Sequence, residues 1–150
     1  MTNRPPSCSP EGEKLYLSLG SNLGDRAENL HRAITLIEER VGTVQRVSSF
    51  IETEPWGFES KHPFLNAACL VLTTLSPMEC LDATQQIERE LGRKRKSKNG
   101  KYHDRPIDID LLMYDDLTLS TPRLTLPHPR MQERDFVMIP LREILPSTDE

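Results

Sequence analysis

The stretch Arg105-Pro106-Ile107-Asp108-Ile109-Asp110-Leu111-Leu112-Met113 decides both the fold class and the place of the candidate site. Apolar and acidic residues alternate along it, which is typical of a β-strand with one buried face. The alternate aliphatic side chains are predicted to face a core, while Asp108 and Asp110 share the opposite face. Residues two apart on a strand are about 7 Å apart at their α-carbons, so the two carboxylates should lie close together.

Two carboxylates on one strand face predict a metal site. Such a pair repels unless a cation lies between its members. Mg²⁺ suits the pair, because this ion takes one or two protein carboxylates and fills the rest of its shell with water and phosphate oxygens. The alternative is an exposed strand face with two solvated aspartates.

A basic run lies just before this strand. Residues 93–105 contain seven Lys or Arg and one Asp, and they include Arg93, Arg95 and Arg105. Arginine presents a planar fork that suits phosphate oxygens. A charge run is usually a solvated surface loop, but its place beside a metal-binding carboxylate pair favours a site for a nucleotide polyphosphate.

The composition predicts one globular domain in a reducing compartment. The 150 residues are 36% hydrophobic and 28% charged, which suits a cytoplasmic protein with a sizeable core. No apolar stretch has the length of a membrane span, and the N-terminus lacks the apolar segment of a signal peptide. The cysteines have no metal-ligand spacing, and Cys69 and Cys80 are predicted to be small core residues.

The net charge of −4 argues against a general affinity for nucleic acids. A basic run on an otherwise acidic chain predicts a local anion site instead of a long groove for a phosphate backbone. We therefore expect neither nucleic acid nor membrane as a partner, and we expect a monomer.

Hydrophobic periodicity predicts the order strand, helix, strand, strand, helix, strand. The predicted elements are Leu15–Leu19, a helix with its stripe from Ala27 to Val41, Thr43–Thr53, Asn66–Leu75, a helix from Pro77 to Leu91, and the strand of Asp108. Asp25 and Ser76 are expected to cap the two helices, and Gly20 and Ser21 are expected in the turn that precedes the first.

This order is typical of an α+β fold, the ferredoxin-like βαββαβ sandwich. Its antiparallel sheet carries both helices on one face, which leaves the other face for the active site. Residues 1–13, which contain three prolines, are predicted to be a disordered N-terminal extension, and residues 14–150 a single domain. A short helical segment over Arg130–Arg134 belongs to a C-terminal appendage.

Other residues are candidates from their own chemistry. Arg123 and Arg134 could converge with the basic run on a triphosphate. His128 stands between two prolines, which indicates a fixed imidazole. Phe64 and Asn66 are two apart and should share a strand face, where an aromatic plane beside a carboxamide suits a flat heterocycle. Structural roles are the alternative for each of them.

Seven short motifs follow one another between about Leu15 and Pro146. They are Leu19-Gly20-Ser21-Asn22, Val47-Ser48-Ser49, Thr53-Glu54-Pro55, Phe64-Leu65-Asn66-Ala67-Ala68, Arg105-Pro106-Ile107-Asp108-Ile109-Asp110, Pro127-His128-Pro129-Arg130-Met131 and Pro140-Leu141. One such motif is a weak signal, but all of them in this order and spacing are specific. Together they resemble the 6-hydroxymethyl-7,8-dihydropterin pyrophosphokinase family of the folate pathway.

The resemblance implies an enzyme that transfers pyrophosphate from MgATP to the hydroxymethyl group of 6-hydroxymethyl-7,8-dihydropterin and releases AMP. It implies two Mg²⁺ ions on Asp108 and Asp110, and it adds catalytic roles for Arg93, Arg95 and Arg105. The residues that it implies around ATP are Gln85, Glu88, Arg95, Arg105, Arg123, Thr125, His128 and Arg134. Those that it implies around the pterin are Thr53, Trp56, Phe64, Asn66 and Phe136.

Two interpretations from other classes stay open on the residues alone. The open face of a ferredoxin-like sheet also binds RNA in other proteins. Against this, a middle strand with two carboxylates would repel phosphate, and the RNA-binding aromatic pattern is absent. A two-metal nucleotidyl transferase or cyclase uses a similar sheet. The pair Phe64 and Asn66 favours the pyrophosphokinase over both.

Overall fold

A computed structural model of the chain describes residues 12–53, 63–92, 106–129 and 131–145. These residues form a mixed α/β fold in which an antiparallel sheet carries helices on both faces. The elements in chain order are β1 Glu13–Ser21, α1 Arg26–Arg40, β2 Thr43–Val47, β3 Ile51–Thr53, β4 Phe64–Thr73, α2 Pro77–Gly92, β5 Asp108–Tyr114, β6 Leu119–Ser120, β7 Thr125–Leu126, a 3₁₀ turn Met131–Glu133, and α3 Asp135–Ile144.

The main sheet has the strand order β2-β4-β1-β5, and β3 also pairs with β4. All its pairs are antiparallel, as predicted. The longest ladder joins β1 to β4, from the pair Glu13 and Thr73 to the pair Ser21 and Leu65. The expectation that the strand of Asp108 and Asp110 is a middle strand, which was used against RNA binding, is wrong, because β5 lies at the edge of the described sheet. Among the described residues, β1 is therefore the one strand of the main sheet that pairs with β5.

Helices α1 and α2 cover one face of the sheet. Successive strand residues point to opposite sides, and Leu17, Cys69 and Ile109 belong to the core under these helices. Ile107 and Leu111 are buried in the same core, so the predicted inward face of the carboxylate strand is confirmed. Cys69 and Cys80 are also fully buried there, as expected.

Helix α3 covers part of the face that the sequence predicts to be open. The predicted helical segment over Arg130–Arg134 is a single 3₁₀ turn over Met131–Glu133, and Arg130 lies outside the described residues. The helix itself begins at Asp135. Its buried residues Val137, Leu141 and Ile144 pack on Tyr16, Leu70 and Leu112. Because Asp108 and Asp110 lie further along the same face, α3 confines the candidate site to one end of it.

The predicted strand Thr43–Thr53 is two strands, β2 and β3. Ser48 separates them by taking over the pairing with β4. Its backbone N–H donates to the carbonyl oxygen of Ala68 at 2.9 Å, and its side-chain oxygen accepts from the Ala68 N–H at 2.9 Å. A serine hydroxyl that replaces a backbone acceptor interrupts a ladder without leaving a buried polar group unsatisfied.

The predicted caps of α1 and α2 are confirmed, but one turn is wrong. Asp25 accepts from the Glu28 N–H at 3.1 Å. Ser76 and Glu79 form a reciprocal capping box at the start of α2. Gly20 and Ser21, expected in a turn, are the last residues of β1. None of the helices in the described ranges combines the length and the apolar character needed to cross a membrane.

Candidate active site

A row of side chains across three strands forms the floor of the candidate site. Asn66 of β4 pairs with Gly20 of β1, and Gly20 pairs on its other side with Asp108 of β5. Paired residues in neighbouring strands share a face. Strands lie about 4.8 Å apart, so the α-carbons of Asn66 and Asp108 are about 10 Å apart. One row further along, Ser18 pairs with Asp110, which brings both aspartates to the face of Asn66.

Gly20 leaves space in the middle of this floor. A β-carbon at this position would lie 3.1 Å from Oδ1 of Asn66 and 3.3 Å from Cδ1 of Phe64. The Phe64 ring therefore lies against the backbone of β1 and beside the Asn66 carboxamide, in keeping with their predicted common face. Thr53 pairs with Phe64 across β3 and β4, so its backbone borders the same corner.

The segment between β7 and α3 brings three more predicted residues to the site. The His128 N–H donates to the carbonyl oxygen of Leu112 in β5 at 2.8 Å. Burial lowers the pKa of His128, the Arg134 charge lowers this pKa further, and the Asp108 carboxylate opposes both effects. Cζ of Arg134 lies 5.7 Å from the centre of the Phe136 ring. Asp108, His128, Arg134 and Phe136 are thus neighbours in the fold, although up to 28 residues separate them in sequence.

Helix α2 supplies a second group beside the carboxylate strand. Nη2 of Arg123 donates to Oδ1 of Asp82 at 2.7 Å and to Oε1 of Gln85 at 3.4 Å. Glu88 accepts from the Ile109 N–H at 2.7 Å. Ile109 lies between the two aspartates, so Glu88 fixes the outer edge of β5 where these residues are presented. Thr125 of β7 pairs with Ser120 of β6 in a separate two-stranded ladder.

Several predicted site residues lie outside the described residues. They are Trp56, Arg93, Arg95 and Arg105. The sheet register brings Phe64, Asn66 and Asp108 together. The segment that leads into α3 brings His128, Arg134 and Phe136 to the same site.

The donor set at the site fits Mg²⁺. Within the described ranges, no group of three or more His, Cys, Asp or Glu side chains is arranged to hold a metal ion. Asp108 and Asp110 share one strand face and offer a pair of oxygen donors, which matches an ion that takes few protein ligands and keeps water and phosphate oxygens. An ion that needs a full protein cage of nitrogen or sulfur ligands would not match this pair.

Sequence reasoning missed the contributions of Gly20, Ser18 and Asp82. Gly20 belongs to a motif that predicts a turn, and only the strand register places it in the floor of the site. Ser18 stands in a run of mostly apolar residues, where a single serine does not indicate a binding site. Asp82 is one helical turn before Gln85, and this spacing, which puts both on one side of α2, could have suggested a common partner.

Comparisons with known proteins agree on one family. The family model described as 7,8-dihydro-6-hydroxymethylpterin-pyrophosphokinase matches residues 16–146. A 2-amino-4-hydroxy-6-hydroxymethyldihydropteridine pyrophosphokinase from Porphyromonas gingivalis is 54% identical over 133 residues, which are 88% of this chain and 90% of that protein. The protein of the same name from Bacillus subtilis is 46% identical over 130 residues, which are 86% of this chain and 76% of that protein.

A solved structure shares the fold. The wild-type HPPK-DHPS of Plasmodium falciparum, solved with SDX-DHP, superposes with a TM-score of 0.68 at 17% identity. The match covers 89% of this chain and 40% of that longer chain. At this identity the likeness concerns the fold alone.

Proposed function

The chain belongs to the 7,8-dihydro-6-hydroxymethylpterin-pyrophosphokinase family, and we propose that its reaction takes place on the Asp108 and Asp110 face of β5. The enzyme transfers pyrophosphate from ATP to the hydroxymethyl group of 6-hydroxymethyl-7,8-dihydropterin in folate biosynthesis. The row of Asn66, Gly20 and Asp108 carries the assignment of the site, because it joins a group suited to a heterocycle edge to a group suited to a metal ion. The sequence alone left three interpretations open, namely a pyrophosphokinase, an RNA-binding sheet and a two-metal nucleotidyl transferase or cyclase. The comparisons support the pyrophosphokinase.

The pterin binds at the Gly20 end of the floor. Phe64 supplies one aromatic plane and Phe136 the other, while the Asn66 carboxamide bonds the edge of the ring. The backbone near Thr53 and Trp56 completes the pocket. The contact of the Phe64 ring with the Gly20 position supports this arrangement, because it places the ring against the backbone of β1 and beside the Asn66 carboxamide.

ATP lies on the side of the aspartate pair that faces α2 and the β7–α3 segment. The residues around it are Gln85, Glu88, Arg95, Arg105, Arg123, Thr125, His128 and Arg134. The proximity of His128 to both Arg134 and Asp108 supports this placement. The lowered pKa keeps the His128 ring neutral near pH 7, so it can donate one N–H to a phosphate oxygen without adding a charge.

The chain's residues then act by positioning. The hydroxymethyl oxygen of the pterin attacks the β-phosphorus of ATP in line, the bond from this phosphorus to the oxygen of AMP breaks, and the hydroxyl proton passes to solvent as AMP leaves. Arg93, Arg95 and Arg105 neutralise charge on the transferred group, and the pyrophosphate moves without a covalent link to the protein. Asp108 and Asp110 would hold two Mg²⁺ ions, which would supply neutralisation of the phosphate charge.

Finer features of the protein are part of the same proposal. The strand order β2-β4-β1-β5, with α1 and α2 on one face, supports a ferredoxin-like sandwich with a C-terminal appendage. Residues 14–150 are the catalytic domain, preceded by an extension. The enzyme works as a cytoplasmic monomer, with ATP and the dihydropterin as its partners, and binds neither nucleic acid nor membrane.

Release of AMP tests the site. Wild-type protein with MgATP should release AMP only when the dihydropterin is present. Asp108→Ala and Asp110→Ala should each lower kcat by about 100-fold or more, because the metal-binding pair stabilises charge in the transition state. Both variants should keep nearly the wild-type midpoint of thermal unfolding, since both side chains are partly exposed and lie outside the hydrophobic cores.

A matched control uses another acidic residue, just beyond the far end of β5. Asp115→Ala changes the residue just after β5, whose carboxylate accepts from the Lys14 N–H, and should leave kcat near the wild-type value. Full activity in Asp108→Ala or Asp110→Ala would refute the metal assignment. Equal rates of AMP release with and without the dihydropterin would refute the proposed acceptor.

A further inference from the structure

Arg26 makes a contact pattern that neither its helix nor the reaction explains. It is the first residue of α1 and directly follows the cap Asp25. A cation is disfavoured there, because the helix dipole places partial positive charge at this end. The guanidinium reaches away from the helix. Its Nη1 donates to the carbonyl oxygen of Pro63 at 2.8 Å and lies 2.8 Å from Oε2 of Glu52.

These two partners lie at the two ends of one connection. Glu52 belongs to β3, and Pro63 directly precedes β4. The pairs Glu52–Leu65 and Thr53–Phe64 are the last of the ladder between these strands. Arg26 therefore ties the start of α1 both to β3, through Glu52, and to the residue just before β4, Pro63.

The tie acts on the residues proposed to hold the pterin. Phe64 follows Pro63 directly, and its ring lies at the Gly20 position beside Asn66. A carbonyl held at 2.8 Å restricts the peptide that joins Pro63 to Phe64, and with it the starting direction of the Phe64 side chain. Charge-assisted hydrogen bonds are stronger than neutral ones, so one guanidinium can hold both strand ends.

We propose that Arg26 is a positioning residue for the pterin subsite, acting through Glu52 and the Pro63 carbonyl on Phe64. The inference rests on the proposed function, because it assumes that Phe64 and Asn66 contact the pterin. It assigns Arg26 no contact with substrate. Its loss should therefore weaken pterin binding and leave ATP binding unchanged.

The experiment compares Arg26→Met with Arg40→Met. Arg40, in the last turn of the same helix, makes a two-pronged pair with Glu90, so its replacement also removes an arginine ion pair from α1. For each variant, the Kd of the dihydropterin is measured by fluorescence with a non-hydrolysable ATP analogue and Mg²⁺, and both KM values are measured by AMP release. Arg26→Met should raise the pterin Kd by about five- to tenfold, the effect expected for a partly exposed charged hydrogen bond. Its KM for ATP should match that of Arg40→Met.

Two further variants identify the contact. Arg26→Lys keeps the charge and one donor and should recover part of the lost pterin affinity. Glu52→Gln should weaken pterin binding in the wild-type background but have little further effect in Arg26→Met, because the two residues act through one contact.

The outcomes separate this inference from the proposed function. A wild-type protein that releases no AMP refutes both. Active Arg26→Met with wild-type pterin affinity refutes the inference alone. An equal rise of both KM values, or a pterin Kd in Arg40→Met raised as much as in Arg26→Met, also overturns it. So does unfolding of Arg26→Met at a temperature where Arg40→Met stays folded, since Arg26 would then act on overall stability.

Discussion

The absence of a side chain at Gly20 shapes the candidate pterin site. Gly20 lies between Asn66 and Asp108 in adjacent strands, and its missing side chain leaves room for the Phe64 ring. Its backbone torsions are not of the left-handed kind that favours glycine, since among described residues only Gly12 and Gly24 are glycines with positive φ. Position 20 therefore requires a residue without a side chain because of the close neighbours, not because of its backbone conformation. A substitution by alanine tests this requirement and keeps the strand intact.

Gly20→Ala should weaken pterin binding more than it destabilises the fold. The new methyl group would lie 3.1 Å from Oδ1 of Asn66 and 3.3 Å from Cδ1 of Phe64, so one of them must shift. We expect the pterin Kd to rise about tenfold, while the free energy of unfolding changes by about 1 kcal/mol or less, because crowding and the lower entropy of the unfolded chain oppose each other. Fluorescence titration and urea denaturation measure the two quantities.

Gly92→Ala is the matched control for this crowding. Its methyl group would meet a side chain at a similar distance, Cγ of Pro106 at 3.2 Å, at the end of α2. It should leave the pterin Kd unchanged. Unchanged pterin affinity in Gly20→Ala would show that Gly20 is not part of the pterin floor.

At the level of single residues, the sequence predicts side chains that follow a period and misses those defined by register. Asp108 and Asp110 are found from alternation alone, because a strand has only two faces. The contact of Glu88 with the Ile109 N–H joins residues 21 positions apart. It could not be predicted, because it depends on which edge of β5 lies next to α2.

At the level of elements, α3 decides how much of the second face stays free for ligands. Its C-terminal half is fixed by Glu143, whose carboxylate accepts from the Ser49 N–H at 2.8 Å and from the Ser49 hydroxyl at 2.7 Å. Nη1 of Arg46 donates to the carbonyl oxygen of Ile144 at 3.1 Å. The N-terminal half of the helix can then present Phe136 to the site.

Acid should weaken the attachment of α3. The two hydrogen bonds from Ser49 lower the pKa of Glu143 below its ordinary value of 4.5. Because the pKa is lower in the folded state, this stabilisation is fully present above the unfolded pKa and is lost as pH falls through the folded pKa. The difference in unfolding free energy between wild type and Glu143→Gln should therefore be largest near neutral pH and shrink below about pH 4.5.

Urea denaturation between about pH 7 and pH 3 measures this difference. Ser49→Ala removes the hydroxyl donor and keeps the backbone donor, so it should show a smaller effect with the same dependence on pH. A difference that grows as pH falls would contradict the role assigned to the Glu143 carboxylate.

The sequence predicts the periodic elements well, but it does not predict the helix α3. Helices α1 and α2 occur within one or two residues of their predicted bounds, because their apolar stripes and caps agree. In α3 the residues Val137, Leu141 and Ile144 have helical spacing, but Pro140 inside the helix conceals it. The division between β2 and β3 depends on Ser48 meeting Ala68, which only the folded sheet brings together.

At the level of the whole molecule, the site combines two separately built parts. The sheet supplies Phe64, Asn66, Asp108 and Asp110 on a rigid floor, buried from behind by the core of α1 and α2. The segment that leads into α3 supplies His128, Arg134 and Phe136 from above that floor. Residues proposed for the nucleotide and residues proposed for the pterin are adjacent in this segment, since Arg134 and Phe136 are only two positions apart.

This adjacency leads us to expect that pterin binding depends on the nucleotide. Cζ of Arg134 lies 5.7 Å from the centre of the Phe136 ring, so a phosphate that fixes Arg134 also restricts the ring proposed to stack on the pterin. Coupling between sites is typically about 1–3 kcal/mol, or roughly 5- to 150-fold in affinity. The dihydropterin is titrated with and without a non-hydrolysable ATP analogue and Mg²⁺, using the fluorescence of Trp56, the single tryptophan of the chain. Arg134→Met should reduce this coupling more than it weakens pterin binding in the absence of nucleotide. Equal pterin dissociation constants in the two wild-type titrations would mean that the sites are independent and that the segment does not link them.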